Sequence, residues 1–324
     1  MDAGSYRHLF GPVRSRRLGR SLGLDLVPVK TCTFECPYCQ LGGTTCKTLE
    51  RREYVPTAAV IAEFTSWLQS DGLADCVTLA GSGEPTLHSR FGEILDAVER
   101  LTHIRRILLS NGSLFSLPEV RAAAVKANVV KGTLSAWDQE SFARLHRPHP
   151  GLHFQSFFEG FKRLREEFRG EFWLEVFLIQ GANDRDEQVA RIAALAREIR
   201  PNRIHLNTAI RPPTERWVGA VPEERLLQLA AFFQPRAEVA SMGSEETPPA
   251  TTAHPAGALL KDRIEALIQR HPATASEVGS ALGVALDEVE GAMRVLLAAG
   301  TVEIEQRGHS LYYTAAPAAG SSSP

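Results

Sequence analysis

Between about residue 22 and residue 240 the chain alternates short apolar, β-rich runs with amphipathic helical patterns. The runs are "SLGLDLVP", "CVTLAGS", "RRILLSNG", "VVKGTLSAW", "FWLEVFLIQG" and "RIHLNTAI", with "AEVAS" near residue 237 as a weaker seventh. Between them lie "TAAVIAEFTSWLQ", "RFGEILDAVERL", "FFEGFKRLREEF", "EQVARIAALAREI" and "EERLLQLAAFF". Strand, helix and strand in this rhythm predict right-handed βαβ units on a parallel sheet. Six or seven units fall short of a closed eight-fold barrel. The expected fold is therefore α/β, a partial (β/α)6 TIM-type barrel, with an open doubly wound sheet as the alternative. Several runs end in polar or glycine residues: Gly81-Ser82-Gly83-Glu84, Ser110-Asn111-Gly112, Ser135 and Gly181-Ala182-Asn183. Parallel sheets collect their chemistry at the carboxyl ends of strands, where these residues fall.

The rhythm stops near residue 241, so residues 1–241 are expected to form the barrel. Residues 242–257, "MGSEETPPATTAHPAG", are rich in Pro, Thr and Ala without periodicity and read as a linker. Residues 258–315 hold three helical patterns and then "TVEIEQRGHSLYYTA", two strand-like runs about an Arg307-Gly308 turn. Three helices and a hairpin predict a small winged-helix domain. Residues 316–324, "APAAGSSSP", are expected to be a disordered tail. The would-be winged helix carries five Lys or Arg against eight acids, a net of -3. Its third helix begins with Asp287, Glu288 and Glu290, where a DNA reader presents phosphate contacts. A protein- or peptide-docking role, or lid duty over the barrel mouth, fits that charge better than DNA binding. Deleting the domain is expected to leave the core chemistry intact yet impair turnover of the true substrate through lost docking.

Five cysteines are present, and three of them, Cys32, Cys36 and Cys39, share the stretch "TCTFECPYCQLGG". No apolar run reaches the roughly 18 residues of a membrane span, and "MDAGSYRHLFGPVRSRR" lacks a signal-peptide core. The expectation is a soluble, cytoplasmic protein, where thiols stay reduced and clustered cysteines serve metals or redox chemistry. Three readings compete. Cys36-Pro37-Tyr38-Cys39 is a C-x-x-C pair of the thiol–disulfide type, but this leaves Cys32 idle. A structural zinc needs four ligands and would have to recruit Cys46. A [4Fe-4S] cluster takes one thiolate per iron, so three cysteines leave one iron open. An open iron can chelate the amino and carboxylate groups of S-adenosylmethionine (SAM). An electron from the cluster then cleaves the sulfonium to a 5'-deoxyadenosyl radical that abstracts hydrogen.

The C-x3-C-x2-C spacing, with Tyr38 before the last cysteine and the loop following the first strand, resembles the signature of the radical SAM superfamily. The resemblance implies a [4Fe-4S] cluster held by Cys32, Cys36 and Cys39, with SAM as the second cofactor. It places Tyr38 in the cofactor site and gives Gly81, Ser82, Gly83 and Glu84 to the methionine amino group. Asn111, Ser135 and Asn183 would meet the carboxylate, ribose and adenine, with Ile179 and Gly181 as backbone contacts of "FLIQGAND". No residue stands out as a catalytic acid or base. The longer stretch "FGPVRSRRLGRSLGLDLVPVKTCTFECPYCQLG", with "RLHRPHP" and "NTAIRPP", resembles the wyosine-synthase-related group of Fe-S oxidoreductases. That group includes tRNA-modifying enzymes that carry extra cysteines, and this chain has none before Cys32. The implied partners are a reductant such as flavodoxin or ferredoxin and an unknown substrate, a tRNA base or a protein or peptide side chain. A non-catalytic Fe-S sensor with the winged helix as output is the rival. Residues 1–52 hold nine Lys or Arg against four acids, which reads either as an anion-binding surface or as ion-paired packing. The register of Lys131 and Glu175, inward or outward, is not readable from the sequence.

Overall fold

The computed structural model describes residues 6–15, 17–70, 72–239, 260–270, 272–307 and 310–316. The chain opens with an antiparallel hairpin, β1 (Leu9–Ser15) and β2 (Gly19–Leu24), followed by two short parallel strands, β3 (Thr31–Cys32) and β4 (Cys46–Lys47). The predicted alternation then sets in with α1 (Thr57–Ser70), β5 (Cys76–Leu79), α2 (Phe91–Leu101), β6 (Arg105–Leu109), α3 (Pro118–Ala124) and β7 (Val129–Thr133). It continues through α4 (Gln139–His146), α5 (Phe154–Glu167), β8 (Glu171–Leu178), α6 (Asp186–Ile199), β9 (Arg203–Thr208), α7 (Glu223–Leu229) and β10 (Glu238–Val239).

One eight-stranded sheet runs β1-β2-β5-β6-β7-β8-β9-β10, and every pairing after β1·β2 is parallel. The strands lie in chain order with no reversal. A doubly wound sheet requires a reversal at its switch point, so that alternative is set aside. Alternation along β8 shows how the sheet is covered: Phe172, Leu174, Val176 and Leu178 join the main core under the helices. Trp173, on the other face, packs with Cys76, Ile107 and Val129 beneath Leu18 of the hairpin tip. The same inner face carries Lys131 and Glu175, which pair at 2.5 Å. The main core is rich in phenylalanine, including the mutually packed Phe34, Phe142, Phe157 and Phe161.

Beyond the strands of this sheet come α8 (Leu260–Arg270), α9 (Ala275–Leu282) and α10 (Leu286–Ala298), then an antiparallel pair, β11 (Val302–Arg307) and β12 (Ser310–Ala315). These helices share a separate core of Ile264, Leu267, Ile268, Val278, Leu282, Val289, Met293 and Leu296. Thr274 caps α9 in a reciprocal pairing with Glu277, and Gly283 ends it at φ +64°. Val13 of β1 packs against this second core. The predicted linker, 242–257, the turn at Gly308 and the tail from residue 317 lie outside the described residues. Among the described residues no helix is long and apolar enough to cross a membrane.

Candidate active site

The three clustered cysteines leave the sheet at β3 and run along the loop that returns at β4. Local bonds set the loop's shape. The Cys39 amide donates to the Cys36 carbonyl at 3.0 Å, and the Lys30 carbonyl accepts from the amides of Thr45 and Cys46. Thr214 clamps the far side by donating its amide and hydroxyl to the Cys39 carbonyl. Tyr38 stacks on Phe177 at 4.2 Å with 13° between rings, and its hydroxyl lies 3.1 Å from His146 Nδ1. His146 Nδ1 also sits 3.7 Å from Cys36 Sγ.

Electrostatics decide what such thiols suit. Burial pushes the Cys32 thiol up to about 12, reinforced by the Glu84 carboxylate. Burial pushes Cys36 further still, with Cys32 and Cys39 adding to the effect. Raised in this way, the half-buried thiols of Cys32 and Cys36 ionise only when positive charge is supplied with them. Lys30 supplies some, its Nζ standing 3.1 Å from Cys39 Sγ, and a bound iron would supply more. Asn111 Nδ2 points a further donor at Cys32 Sγ, at 3.5 Å. Three thiols on one loop, with donors beside Cys32 and Cys39, fit the thiolate ligation of a [4Fe-4S] cluster. Among the described residues no three His, Cys, Asp or Glu side chains gather as ligands of a single metal ion. Cys46 is exposed at β4, and Cys76 is buried under the hairpin tip, its Sγ donating to the Leu18 carbonyl at 3.5 Å.

The strand ends form the floor beside this loop. After β5 the backbone turns through Gly81, at φ +132°, and Gly83, where any Cβ would overlap the Thr31 carbonyl oxygen. Ser82 is buried, its carbonyl accepting from the Lys30 amide at 2.7 Å. Its amide and hydroxyl both donate to Asp25. Glu84 is 2% exposed and its carboxylate accepts from Thr86 N, Thr86 Oγ1, Ser110 Oγ and Asn111 N. Those bonds tie the ends of β5 and β6 together, so the Glu84 side chain braces the turn while backbone lines it. Asn111 Nδ2 reaches Thr33 Oγ1 at 2.8 Å as well as Cys32.

The remaining expected positions gather around β7 and β8. Ser135, fully buried, accepts from the Phe177 amide at 2.8 Å. Asn183 is also fully buried: it accepts from the Ile179 amide and donates to the carbonyls of Ser135 and Phe177. Its side chain is thereby a staple across the ends of β7 and β8. Ile179 is buried, while Gly181 is exposed at φ +74° with its amide bonded to Asp184.

Several residues of the site were not anticipated. Asp25, Lys30, His146, Phe177 and Thr214 all touch the loop or the turn. Asp25 had a signal, a lone carboxylate in the apolar run "LGLDLVP", where an ionised group must be held by partners. Lys131 and Glu175 face inward with Asn207, which donates to Glu175, and Arg17, which donates to Asn207 at 3.0 Å. Of the N-terminal arginines, Arg17 donates to Asn207 on the inner face of the sheet, and Arg20 pairs with Asp75 at the opposite end of the sheet from the cysteine loop.

A parallel sheet with strands in chain order and a three-thiol loop after its first parallel strand defines an α/β protein with a candidate Fe-S site at the carboxyl ends of its strands. A family profile described as Radical SAM superfamily matches residues 26–193, and the chain belongs to that superfamily. It is 31% identical over 227 residues to the UPF0026 protein MJ1312 of Methanocaldococcus jannaschii, covering 69% of this chain and 70% of that one. It is 33% identical over 276 residues to a UPF0026 protein of Helicobacter pylori, covering 83% and 86%. A Brachyspira hyodysenteriae protein named GTPase Obg is 33% identical over 228 residues, and there the chain spans only 34% of its relative's length. Among solved structures, a radical SAM methyltransferase from Sphaerobacter thermophilus shares the fold at TM-score 0.50 and 18% identity, over 69% of this chain and 67% of that one. Membership makes the chain an enzyme whose cofactors are a [4Fe-4S] cluster and SAM.

Proposed function

We propose that this enzyme abstracts hydrogen from a macromolecular substrate, a tRNA base or a protein or peptide side chain, within a partial (β/α)6 barrel of the wyosine-related kind. When bound, the reduced cluster supplies the electron that cleaves SAM and generates the 5'-deoxyadenosyl radical. The chain's own residues do the rest. Cys32, Cys36 and Cys39 hold the irons. The Gly81–Glu84 backbone, which two glycines let pack against Asp25 and Thr31 and which Glu84 braces, receives the methionine end of SAM. Asn111, Ser135, Ile179, Gly181 and Asn183 shape the floor for its carboxylate and nucleoside. In this reading Tyr38 and Phe177 wall the cluster loop, and Lys131, Glu175 and Asn207 line the barrel below it.

The observation that carries the proposal is the convergence of the three-thiol loop, the Gly81–Glu84 turn and Asn111 on one end of the sheet. The bond from Asn111 to Cys32 joins the last of these to the first. We read α8 to β12 as a winged helix, on its three helices and hairpin, and assign it to protein docking on its net charge of -3. The test is anaerobic reconstitution, reduction and addition of SAM, followed by chromatography. The proposal expects slow release of 5'-deoxyadenosine without added substrate; no release above a Cys36→Ala control would refute it.

A further inference from the structure

Arg270, the last residue of α8, reaches out of its own unit to the barrel. Its Nε lies 2.8 Å from Asp25 Oδ2, and the two side chains are 13% and 5% exposed. Nη2 donates to the Arg7 carbonyl at 3.2 Å, and the guanidinium sits over the Phe10 ring at 5.8 Å. Asp25 is the same carboxylate that accepts both the amide and the hydroxyl of Ser82. It also fills the space beside Gly81, where a Cβ would come within 2.8 Å of its Cγ. A guanidinium of the C-terminal unit and the turn at the end of β5 thus share one buried carboxylate.

From this geometry we infer that Arg270 is a positioning residue for the SAM cradle, acting through Asp25 on the Ser82 turn. The inference rests on the proposed reading that Gly81–Glu84 receives the methionine end of SAM. A carboxylate this buried needs partners that replace water, and the Arg270 guanidinium is the cation among those of Asp25. Without Arg270 the carboxylate loses the partner that holds Oδ2 in place and is free to swing toward water, which disturbs the two Ser82 bonds. The C-terminal unit is then part of the cofactor site's support rather than a dispensable appendage. A second contact between the units provides the control: Arg211 pairs with Glu277 at 2.9 Å, and neither touches Ser82.

The experiment uses full-length, anaerobically reconstituted protein and SAM itself as the probe. It reads the SAM Kd by calorimetry, the reduced cluster's EPR line shape with and without SAM, iron content and Tm. Arg270→Met should keep iron yet weaken SAM binding by about tenfold, a change of about 1.4 kcal/mol. Arg270→Lys, which restores the charge, should recover most of the affinity. Glu277→Gln should leave the Kd unchanged even if it lowers Tm as much. The double variant Asp25→Asn/Arg270→Met leaves no buried charge, keeps the measurement available if Arg270→Met loses iron, and should bind more tightly than Arg270→Met. Wild-type affinity in Arg270→Met, or equal weakening in Glu277→Gln, overturns the inference, as does a double variant no better than the single one. Wild-type protein that binds no SAM overturns the underlying reading instead.

Discussion

Glu84 offers a perturbation whose size follows from its bonds. The carboxylate is 2% exposed and accepts Thr86 N at 3.1 Å, Thr86 Oγ1 at 2.5 Å, Ser110 Oγ at 2.7 Å and Asn111 N at 2.7 Å. Glu84→Ala removes every acceptor at once. The two hydroxyls can rotate to new partners, but the two backbone N–H groups are left buried and unpaired, at about 1–3 kcal/mol each. Part of that loss is offset, because burial already pushes the Glu84 carboxyl above the usual carboxylate range and its removal relieves a desolvated charge. The net expectation is about 3 kcal/mol, or a Tm lower by about 6–12 °C for a domain of this size. Glu84→Gln keeps one oxygen for three of the donors and sets an amide N–H against Asn111 N–H, so it should cost about 1–2 kcal/mol. Differential scanning calorimetry at matched iron content separates the two. A Glu84→Ala protein melting within about 2 °C of wild type, or a Glu84→Gln protein worse than the alanine, would refute the bracing role.

Replacing Cys32, Cys36 or Cys39 by Ala should abolish the broad Fe-S absorption near about 400 nm, whereas Cys46→Ala and Cys76→Ala should keep about four irons per chain; a single bound zinc would defeat the ligand assignment. Gly83→Ala must move the backbone at Thr31, so SAM affinity should fall by about tenfold or more, measured by equilibrium dialysis. His205, 1% exposed and flanked by Arg17 and Lys131, is held by burial and those cations at about 3. Its folded pKa lies below the unfolded value, so the stabilisation is present above about pH 6.5 and is lost as pH falls toward 3, at about 1.4 kcal/mol per unit. His205→Gln should flatten that limb in denaturant titrations, and an unchanged slope would count against it.

The parallel alternation was legible because each βα unit repeats one pattern, and the six main runs all became strands of the expected sheet. β1 was not legible. Gly11 and Pro12 interrupt its apolar pattern, and the strand tolerates them because it is an edge whose pairing shifts between Phe10 and Val13. α4 is eight residues long and shows its start only in the Asp138–Ser141 cap. The inward face of β8 was hidden because both faces of "FWLEVFLIQ" are largely apolar. The orientation of Glu175 emerges only from its pairing with Lys131 on β7. The cysteine cluster stood out as three thiols within eight positions, and its reading as a ligand set came from the resemblance of that spacing to the superfamily signature. The supports of these cysteines were not legible. His146 and Arg270 lie 110 and 245 residues from their partners Cys36 and Asp25, and only the folded sheet brings them together.

The claim that this chain opens one iron of a three-cysteine cluster to SAM is tested most directly by EPR of the reduced protein. The spectrum is recorded before and after SAM, with the 5'-deoxyadenosine in the same tube measured afterwards. The account predicts a changed line shape on SAM addition and nucleoside release that depends on Cys32, Cys36 and Cys39. A reduced cluster whose spectrum is the same with and without saturating SAM, and which releases no 5'-deoxyadenosine, would contradict it.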